Sequence, residues 1–377
     1  MTFLPAHSEN LTSGRAPVIA HLLSNRWNSA ITEYAVHAAQ ALQIAGFSQI
    51  MVALKGSAGA RRASAAGIPV VEVERFSMVQ LPEIARAIQS PALQALFVYG
   101  GPETFLAKWI KGMRSEVKVI RFRGDDRDAT TKLKGVIQRI AQGHIDVFLT
   151  PSNFIAQRLD ARARKVEPGI DLERIHRIRG ADPGPGGRST CVILGRLDPI
   201  KGHGLFFRIF AQMLAAKGQE LYSLHVVGEP ENISQEALEH QAREAGLTIG
   251  RDVIFTAERV ADINLLLSSA CAGIICSTGS EIICRVAQEF LVCGTPLVIS
   301  GVGSLREIPL AGDGFNYGGL RSPEIEEALW GFLEKSRIET REQRESRAQS
   351  SAERFGLRAM SKALCGVLAE LGIMPVS

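Results

Sequence analysis

Short apolar runs rich in β-branched residues alternate with longer segments of helical period along the whole chain, and this alternation constrains the fold more than any other feature. Strands separated by helix-length segments cannot pair through tight hairpins, so they assemble as parallel sheets covered by crossover helices. In the first half the runs fall at 17–23, 49–54, 70–73, 95–99, 117–121 and 147–150. In the second they fall at 190–194, 223–227, 253–256, 273–277 and 296–300, with a weaker one near Gly314. The clearest helix is 29–45, where Ile31, Tyr34, Ala35, Ala38, Ala41, Leu42 and Ala45 form one apolar face and Gly46 supplies the stop. The fold class is α/β, doubly wound, twice over.

The two halves meet at 180–188, GADPGPGGR, a cluster of breakers that no helix or strand interior tolerates. A chain of 377 residues is also too long for one small core. We therefore expect a first domain over 1–182, a second over 183–350, and a C-terminal helix, 351–377, packing back toward the first domain through Met360, Leu364, Val367, Leu368 and Leu371. A 46% hydrophobic and 22% charged composition excludes a disordered or collagen-like chain. No apolar run reaches the roughly 18 residues of a spanning helix, and the start MTFLPAHSEN lacks the basic and apolar regions of a signal peptide, so a cytoplasmic location is expected. Six cysteines without a C-x-x-C pair read as reduced core thiols rather than a disulfide framework or a zinc site.

The net charge of +4 conceals an asymmetry: residues 1–186 carry 24 Lys/Arg against 16 Asp/Glu, while 187–377 carry 19 against 23. A basic half attracts phosphorylated substrates or an anionic membrane surface, or it is simply a solvated basic face. Its arginines are dispersed, without RNA-binding or helix-turn-helix motifs, so nucleic acid is not an expected partner. The stretch 104–112, with Phe105, Leu106, Trp109 and Ile110 beside Lys108 and Lys111, fits either a core-facing helix or peripheral contact with an anionic membrane.

Two segments of the second half carry chemistry. Gly195-Arg196-Leu197-Asp198-Pro199-Ile200-Lys201-Gly202-His203 follows an apolar strand and precedes a helix. Such junctions lie at the carboxyl ends of strands, where open α/β sheets bind ligands, and a planar Arg fork with a compact Lys charge suits a diphosphate leaving group. An exposed Arg and Lys in a loop is the competing reading. His203 fits a polar helix start or a place near such a ligand. The second segment, Ser277-Thr278-Gly279-Ser280-Glu281 through Glu289 to Gly294-Thr295-Pro296, sets two glutamates eight positions apart. If Glu281 caps the helix and Glu289 lies two turns inside, they sit about 12 Å apart along the axis and about 80° around it. Glu289 then accepts from a ribose diol and Glu281 from sugar hydroxyls, with first-turn amides facing the diphosphate between them. No H-x-x-x-H spacing or carboxylate cluster calls for a metal, and no organic cofactor is implied.

These motifs resemble the retaining glycosyltransferases of family 4 (group 1), which have the two-lobed GT-B fold. The family's G-R-x-x-x-x-K-G is matched by Gly195, Arg196, Lys201 and Gly202. Its S-x-x-x-E, second Glu and G-x-P are matched by Ser277, Glu281, Glu289, Gly294 and Pro296, about 80 residues on. Weaker echoes are Val226-Val227-Gly228-Glu229 before the base pocket and Gly301 to Glu307 after the G-x-P strand. The resemblance implies transfer of a sugar from a nucleotide-sugar donor to a glycan or glycolipid hydroxyl. Arg196 and Lys201 would stabilise the leaving diphosphate, Glu289 would hold ribose, Glu281 with amides near Cys284, Arg285 and Val286 would orient the sugar, and Gly195 and Gly228 would shape the donor pocket.

The chain departs from the family in three places. Glu281-Ile282-Ile283-Cys284 replaces E-G-F-G, Ser24-Asn25-Arg26-Trp27-Asn28-Ser29 replaces a Gly-Gly turn, and Arg121-Phe122-Arg123-Gly124-Asp125-Asp126-Arg127-Asp128 stands where an acceptor-lobe histidine is usual. The last segment resembles relatives acting on lipopolysaccharide cores. It makes Asp125 and Asp126 candidates for orienting the acceptor hydroxyl, unless they merely pair with neighbouring arginines. The rival activities on the same fold are a nucleotide-sugar 2-epimerase or hydrolase and a non-catalytic glycan-binding protein.

Overall fold

A computed structural model describes residues 16–124, 142–175, 187–217, 221–257, 260, 262–279 and 281–375. The first lobe is a seven-stranded sheet of β1 (Val18–Leu23), β2 (Ser48–Leu54), β3 (Val70–Val73), β4 (Leu93–Val98), β5 (Lys118–Phe122), β6 (Val147–Thr150) and β7 (Ala163–Lys165), in the order β3-β2-β1-β4-β5-β6-β7. The second is a six-stranded sheet of β8 (Ser189–Leu194), β9 (Tyr222–Val227), β10 (Val253–Thr256), β11 (Ala272–Ile275), β12 (Leu297–Ile299) and β13 (Gly314–Asn316), in the order β10-β9-β8-β11-β12-β13. The strand pairs in both sheets are parallel. Each sheet reverses its winding once, between β1 and β4 and between β8 and β11. At such a switch point the flanking loops part and leave a crevice beyond the carboxyl ends of the strands.

The helices are α1 (Ala30–Ile44), α2 (Ala58–Ala65), α3 (Leu81–Ala87), α4 (Gly101–Met113), α5 (Asn153–Ala156), α6 (His203–Lys217), α7 (Gln235–Glu244), α8 (Ile263–Ser269), α9 (Arg285–Val292), α10 (Glu324–Arg337), α11 (Arg341–Phe355) and α12 (Leu357–Glu370). Strands such as β6 and β11 are buried at every position, which is why they read as continuous apolar runs rather than alternating ones. Helix α1 begins where the Ser29 hydroxyl accepts from the Thr32 amide, and it stops before Gly46, whose φ of +87° a residue with a Cβ adopts only under strain. Strand β7 has no apolar run to announce it. It is a short edge strand of Ala163, Arg164 and Lys165, none of them fully buried.

The C-terminal tail divides into two helices with different tasks. Helix α11 starts with a capping box between Thr340 and Gln343 and packs on α9 of the second lobe, where the fully buried Arg344 guanidinium donates to the carbonyls of Ser268 and Ala270. The chain breaks at Gly356, where a Cβ would lie 2.7 Å from the Ala352 carbonyl oxygen. Helix α12 then packs on α1 and puts Met360, Leu364, Val367 and Leu368 into the core of the first lobe. The segment 176–186, which holds the 182/183 boundary expected from the breakers, lies outside the described residues. No helix among the described residues is long and apolar enough to cross a membrane.

Candidate functional site

A cleft of about 460 Å³ lies between the lobes at the switch point of the second sheet. Its second-lobe wall comes from the loop after β8, with Gly195, Arg196, Lys201 and His203, and from the end of β11 and the start of α9, with Ser277, Glu281, Cys284, Arg285 and Val286. Its first-lobe wall is the start of α1, with Asn28, Ser29 and Glu33.

The loop after β8 is built to bring its lysine inward. The Asp198 carboxylate accepts from the Ile200 amide and starts a short 3₁₀ turn, which ends at Gly202 with φ +73°. A Cβ on Gly202 would sit 2.1 Å from the Cys276 carbonyl oxygen, so only glycine lets this loop lie against the end of β11. The same logic holds at Gly228, where a Cβ would lie 1.7 Å from the Gly195 carbonyl oxygen and would pry apart the ends of β8 and β9. Gly228 therefore shapes the cleft from behind its wall rather than lining it.

At the centre of the second-lobe wall Lys201 Nζ lies 2.5 Å from Glu281 Oε1, and the Ser277 hydroxyl donates to the same oxygen at 2.5 Å. Burial opposes the lysine's charge, but the adjoining Glu281 carboxylate outweighs it and holds the ammonium above its ordinary pKa. The cation is therefore fixed at neutral pH. The Glu281 carbonyl accepts from the Ser304 amide at 2.8 Å, and Gly303, with φ +56°, leaves room for that approach.

Glu281 does not cap α9. The helix begins at Arg285 with Cys284 as its N-cap, so Glu281 stands in the preceding loop and the spacing calculated for two glutamates on one helix does not describe them. Cys284 has φ −104°, which any residue adopts, so the backbone at this position does not require glycine. Burial raises the Cys284 thiol far out of the reactive range. Ile283 packs against the apolar core of the first lobe, a contact that a glycine-rich loop would lack.

Arg196 and Glu289 stand apart from this centre. Arg196 is largely exposed and its guanidinium pairs with Glu231. Glu289 is half-buried and borders an adjoining cavity of about 170 Å³, not the main cleft. Arg285, which borders both, donates to Glu289 at 2.9 Å and reaches Glu33 of the first lobe at 3.4 Å. Glu33 is almost wholly buried and also pairs with Arg62 at 2.6 Å. Asp125 and Asp126 lie outside the described residues.

Sequence reasoning named Asn28 and Ser29 only as part of the segment that replaces a Gly-Gly turn, gave His203 either a polar helix start or a place near the ligand, and passed over Glu33. The signal for Ser29 was present, since a serine directly before an apolar helical period is an N-cap and N-caps end at strand-to-helix loops. Glu33 gave none, because a glutamate in a first helical turn is ordinary on any surface.

Two parallel-sheet domains facing one another across such a cleft are the GT-B architecture. Within it, residues 188–330 match the family model of glycosyl transferases group 1, a span that includes Gly195, Arg196, Lys201, Glu281 and Glu289. The chain is 29% identical over 163 residues to a D-inositol 3-phosphate glycosyltransferase of Geodermatophilus obscurus. That match covers 38% of this chain, and the chain spans about a third, 34%, of the relative's length. Among solved structures, Anabaena HepE in complex with UDP superposes with a TM-score of 0.74 at 15% identity, covering 93% of this chain and 99% of that one. The lipopolysaccharide outer core galactosyltransferase WaaB superposes with a TM-score of 0.70 at 13% identity, covering 94% and 99%.

Proposed function

We propose that the protein is a retaining, metal-independent glycosyltransferase that moves a sugar from a nucleotide-sugar donor to a hydroxyl of a glycan or glycolipid, with the lipopolysaccharide core as one acceptor class. The observation that carries the reading is the Lys201–Glu281–Ser277 cluster at the switch point of the second sheet, inside the segment that matches glycosyl transferases group 1. Lys201 supplies a charge that stays on at neutral pH, next to where a leaving diphosphate would rest. Arg196 adds a second cation once its guanidinium turns from Glu231. Glu281 accepts from the donor sugar, and Glu289 accepts from ribose once Arg285 yields it.

As the resemblance to the retaining enzymes implies, retention proceeds by front-face attack, the departing phosphate taking the acceptor proton. Supporting a nucleotide-sugar donor, HepE, of the same architecture, was solved in complex with UDP. The acceptor enters from the basic first lobe. Helix α4 buries Leu106, Ala107 and Ile110 while exposing Phe105, Trp109 and Met113 beside Lys108, a face suited to rest on an anionic membrane that carries a glycolipid.

The test is incubation with labelled UDP-, GDP- and ADP-sugars, with and without a lipopolysaccharide-core acceptor and with EDTA. Acceptor-dependent transfer with the anomeric configuration kept, unchanged by EDTA, is the expected result. Acceptor-free epimerisation or hydrolysis as the main reaction would replace this reading. Pelleting with anionic liposomes, lost in Trp109→Ser, checks the membrane contact; no pelleting would remove it.

A further inference from the structure

The loop between β1 and α1, residues 24–29, is the segment that replaces the family's Gly-Gly turn. It carries the most exposed aromatic ring among the described residues: Trp27 is 76% exposed, against 53% for Phe105 and 49% for Trp109. Single apolar side chains on a surface are ordinary, so exposure alone assigns nothing. The backbone under this one is tied along the loop. The Ser24 amide donates to Glu103 at 3.1 Å, the Arg26 carbonyl accepts from the Ala58 amide at 3.3 Å, and the Asn25 carboxamide donates to Ser29 at 2.8 Å. The Trp27 amide donates to the Asn25 side-chain oxygen at 2.9 Å, and its carbonyl accepts from the Thr32 hydroxyl at 2.8 Å. A loop so tied holds its indole out in water instead of folding it back onto the protein. The next two residues, Asn28 and Ser29, line the cleft. Asn28 is exposed, and among the described residues its carboxamide makes no hydrogen bond, which leaves a donor and an acceptor free at the first-lobe lip.

We propose that Trp27 and Asn28 bind one sugar ring of the acceptor glycan, the indole stacking on the ring's C–H face and the carboxamide hydrogen-bonding its hydroxyls. The inference rests on the glycosyltransferase reading above and adds to it the residues that select the acceptor. A pyranose presents weakly positive C–H groups on a face and hydroxyls at its edge, which match the negative face of an indole and an adjoining amide. Neither side chain is charged, so the pair offers nothing to a diphosphate, whose charge is met on the second lobe by Lys201. The first-lobe lip is therefore left to the neutral partner of the reaction. An indole turns about only two side-chain torsions, and its backbone is already fixed, so little freedom is lost when a sugar settles on it.

Transfer kinetics and indole fluorescence of the full chain test the inference; both positions are exposed, so the variants keep the fold. With a lipopolysaccharide-core acceptor, Trp27→Ala is expected to raise the acceptor KM about tenfold while kcat and the donor KM stay within about twofold. Trp27→Phe, which keeps a flat ring, is expected to recover most of that loss, and Asn28→Ala to raise the acceptor KM about threefold, as for one neutral hydrogen bond. A wild-type acceptor KM in Trp27→Ala, or an equal rise in donor KM, overturns the assignment while the glycosyltransferase reading stands. If no transfer is found, that reading fails and fluorescence decides the sugar contact alone. Wild type is titrated with deacylated lipopolysaccharide-core oligosaccharide, with methyl glycosides of glucose, galactose and mannose, and with uridine, guanosine and adenosine. The part of the emission that Trp27→Phe removes must shift with a glycan and not with a nucleoside. Emission moved by a nucleoside, or by none of the glycans, overturns the contact.

Discussion

The second-lobe wall of the cleft carries its charges on short loops at strand ends, and each is placed by backbone that admits little substitution: Gly202 against Cys276, Gly228 against Gly195, and Gly303 against Glu281. The first-lobe wall is different. Its buried charge, Glu33, sits in the first turn of a helix whose arginine partners are both about a third exposed and come from separate elements, Arg62 of its own lobe and Arg285 of the other. One wall is a preorganised electrostatic surface, and the other is held by one ion pair within its own lobe and one that spans the cleft. Preorganised charge is worth most where charge develops in a transition state, whereas arginines that keep about a third of their surface in water are screened and part more readily from a buried carboxylate.

This contrast breaks first at Lys201. Lys201→Ala removes the fixed cation and is expected to lower turnover about 10²–10³-fold. Arg196→Ala is expected to act in the same direction with less loss of stability, since its side chain is 61% exposed and its removal uncovers no buried partner. Turnover assays with circular dichroism as the fold control measure both, and wild-type rates would refute the leaving-group role.

A second break separates the lobes by stability. Leu364 of α12 is fully buried in the first-lobe core, so Leu364→Ala is expected to cost about 2–4 kcal/mol in denaturant unfolding. Nucleotide affinity of the remaining folded protein should be unchanged, because the second-lobe wall is not touched.

Acid sharpens the comparison, because among the described residues each lobe has one buried histidine with its pKa depressed to about 4. His21 of β1 is enclosed between Tyr99 and Gln49, with burial as the main cause, and His203 is depressed by burial and by Lys201. In the unfolded chain each titrates near 6.5, so between about pH 6.5 and pH 4 the unfolded state binds protons that the native state refuses. Stability is therefore full above about pH 6.5 and falls toward pH 4, by an amount approaching about 3 kcal/mol per ring. Melting curves from pH 7 to pH 4.5 check this, and His203→Asn should flatten the acid limb. The smallest effect belongs to Glu33→Gln, expected to change turnover less than tenfold and melting temperature by a few degrees.

The second lobe was more legible than the first for the same physical reason. Close backbone approach demands glycine, a fixed leaving-group cation demands Arg or Lys, and both requirements leave residues at set spacings, as in Gly195-Arg196 and Lys201-Gly202. The strands were legible in both lobes because burial on both faces writes them as apolar runs. Strand β7 was not, since an edge strand of Ala163, Arg164 and Lys165 is held by pairing with β6 rather than by burial. The break at Gly356 was missed because α11 and α12 each carry helical period, and only their docking on opposite lobes separates them. The position of Glu281 ahead of α9 was missed because a loop that ends in Ile282-Ile283-Cys284 reads as the first turn of the helix. Glu33 and Arg285 meet only across the cleft, and no spacing in one chain records a contact between lobes.

The most direct test is the affinity of wild type and Lys201→Ala for UDP, GDP and ADP, measured by calorimetry at neutral pH alongside Glu33→Gln. If the second-lobe wall is the preorganised diphosphate site, one of the three binds wild type and Glu33→Gln with similar affinity and binds Lys201→Ala at least about tenfold more weakly. Equal affinity in wild type and Lys201→Ala, or a loss confined to Glu33→Gln, would contradict it.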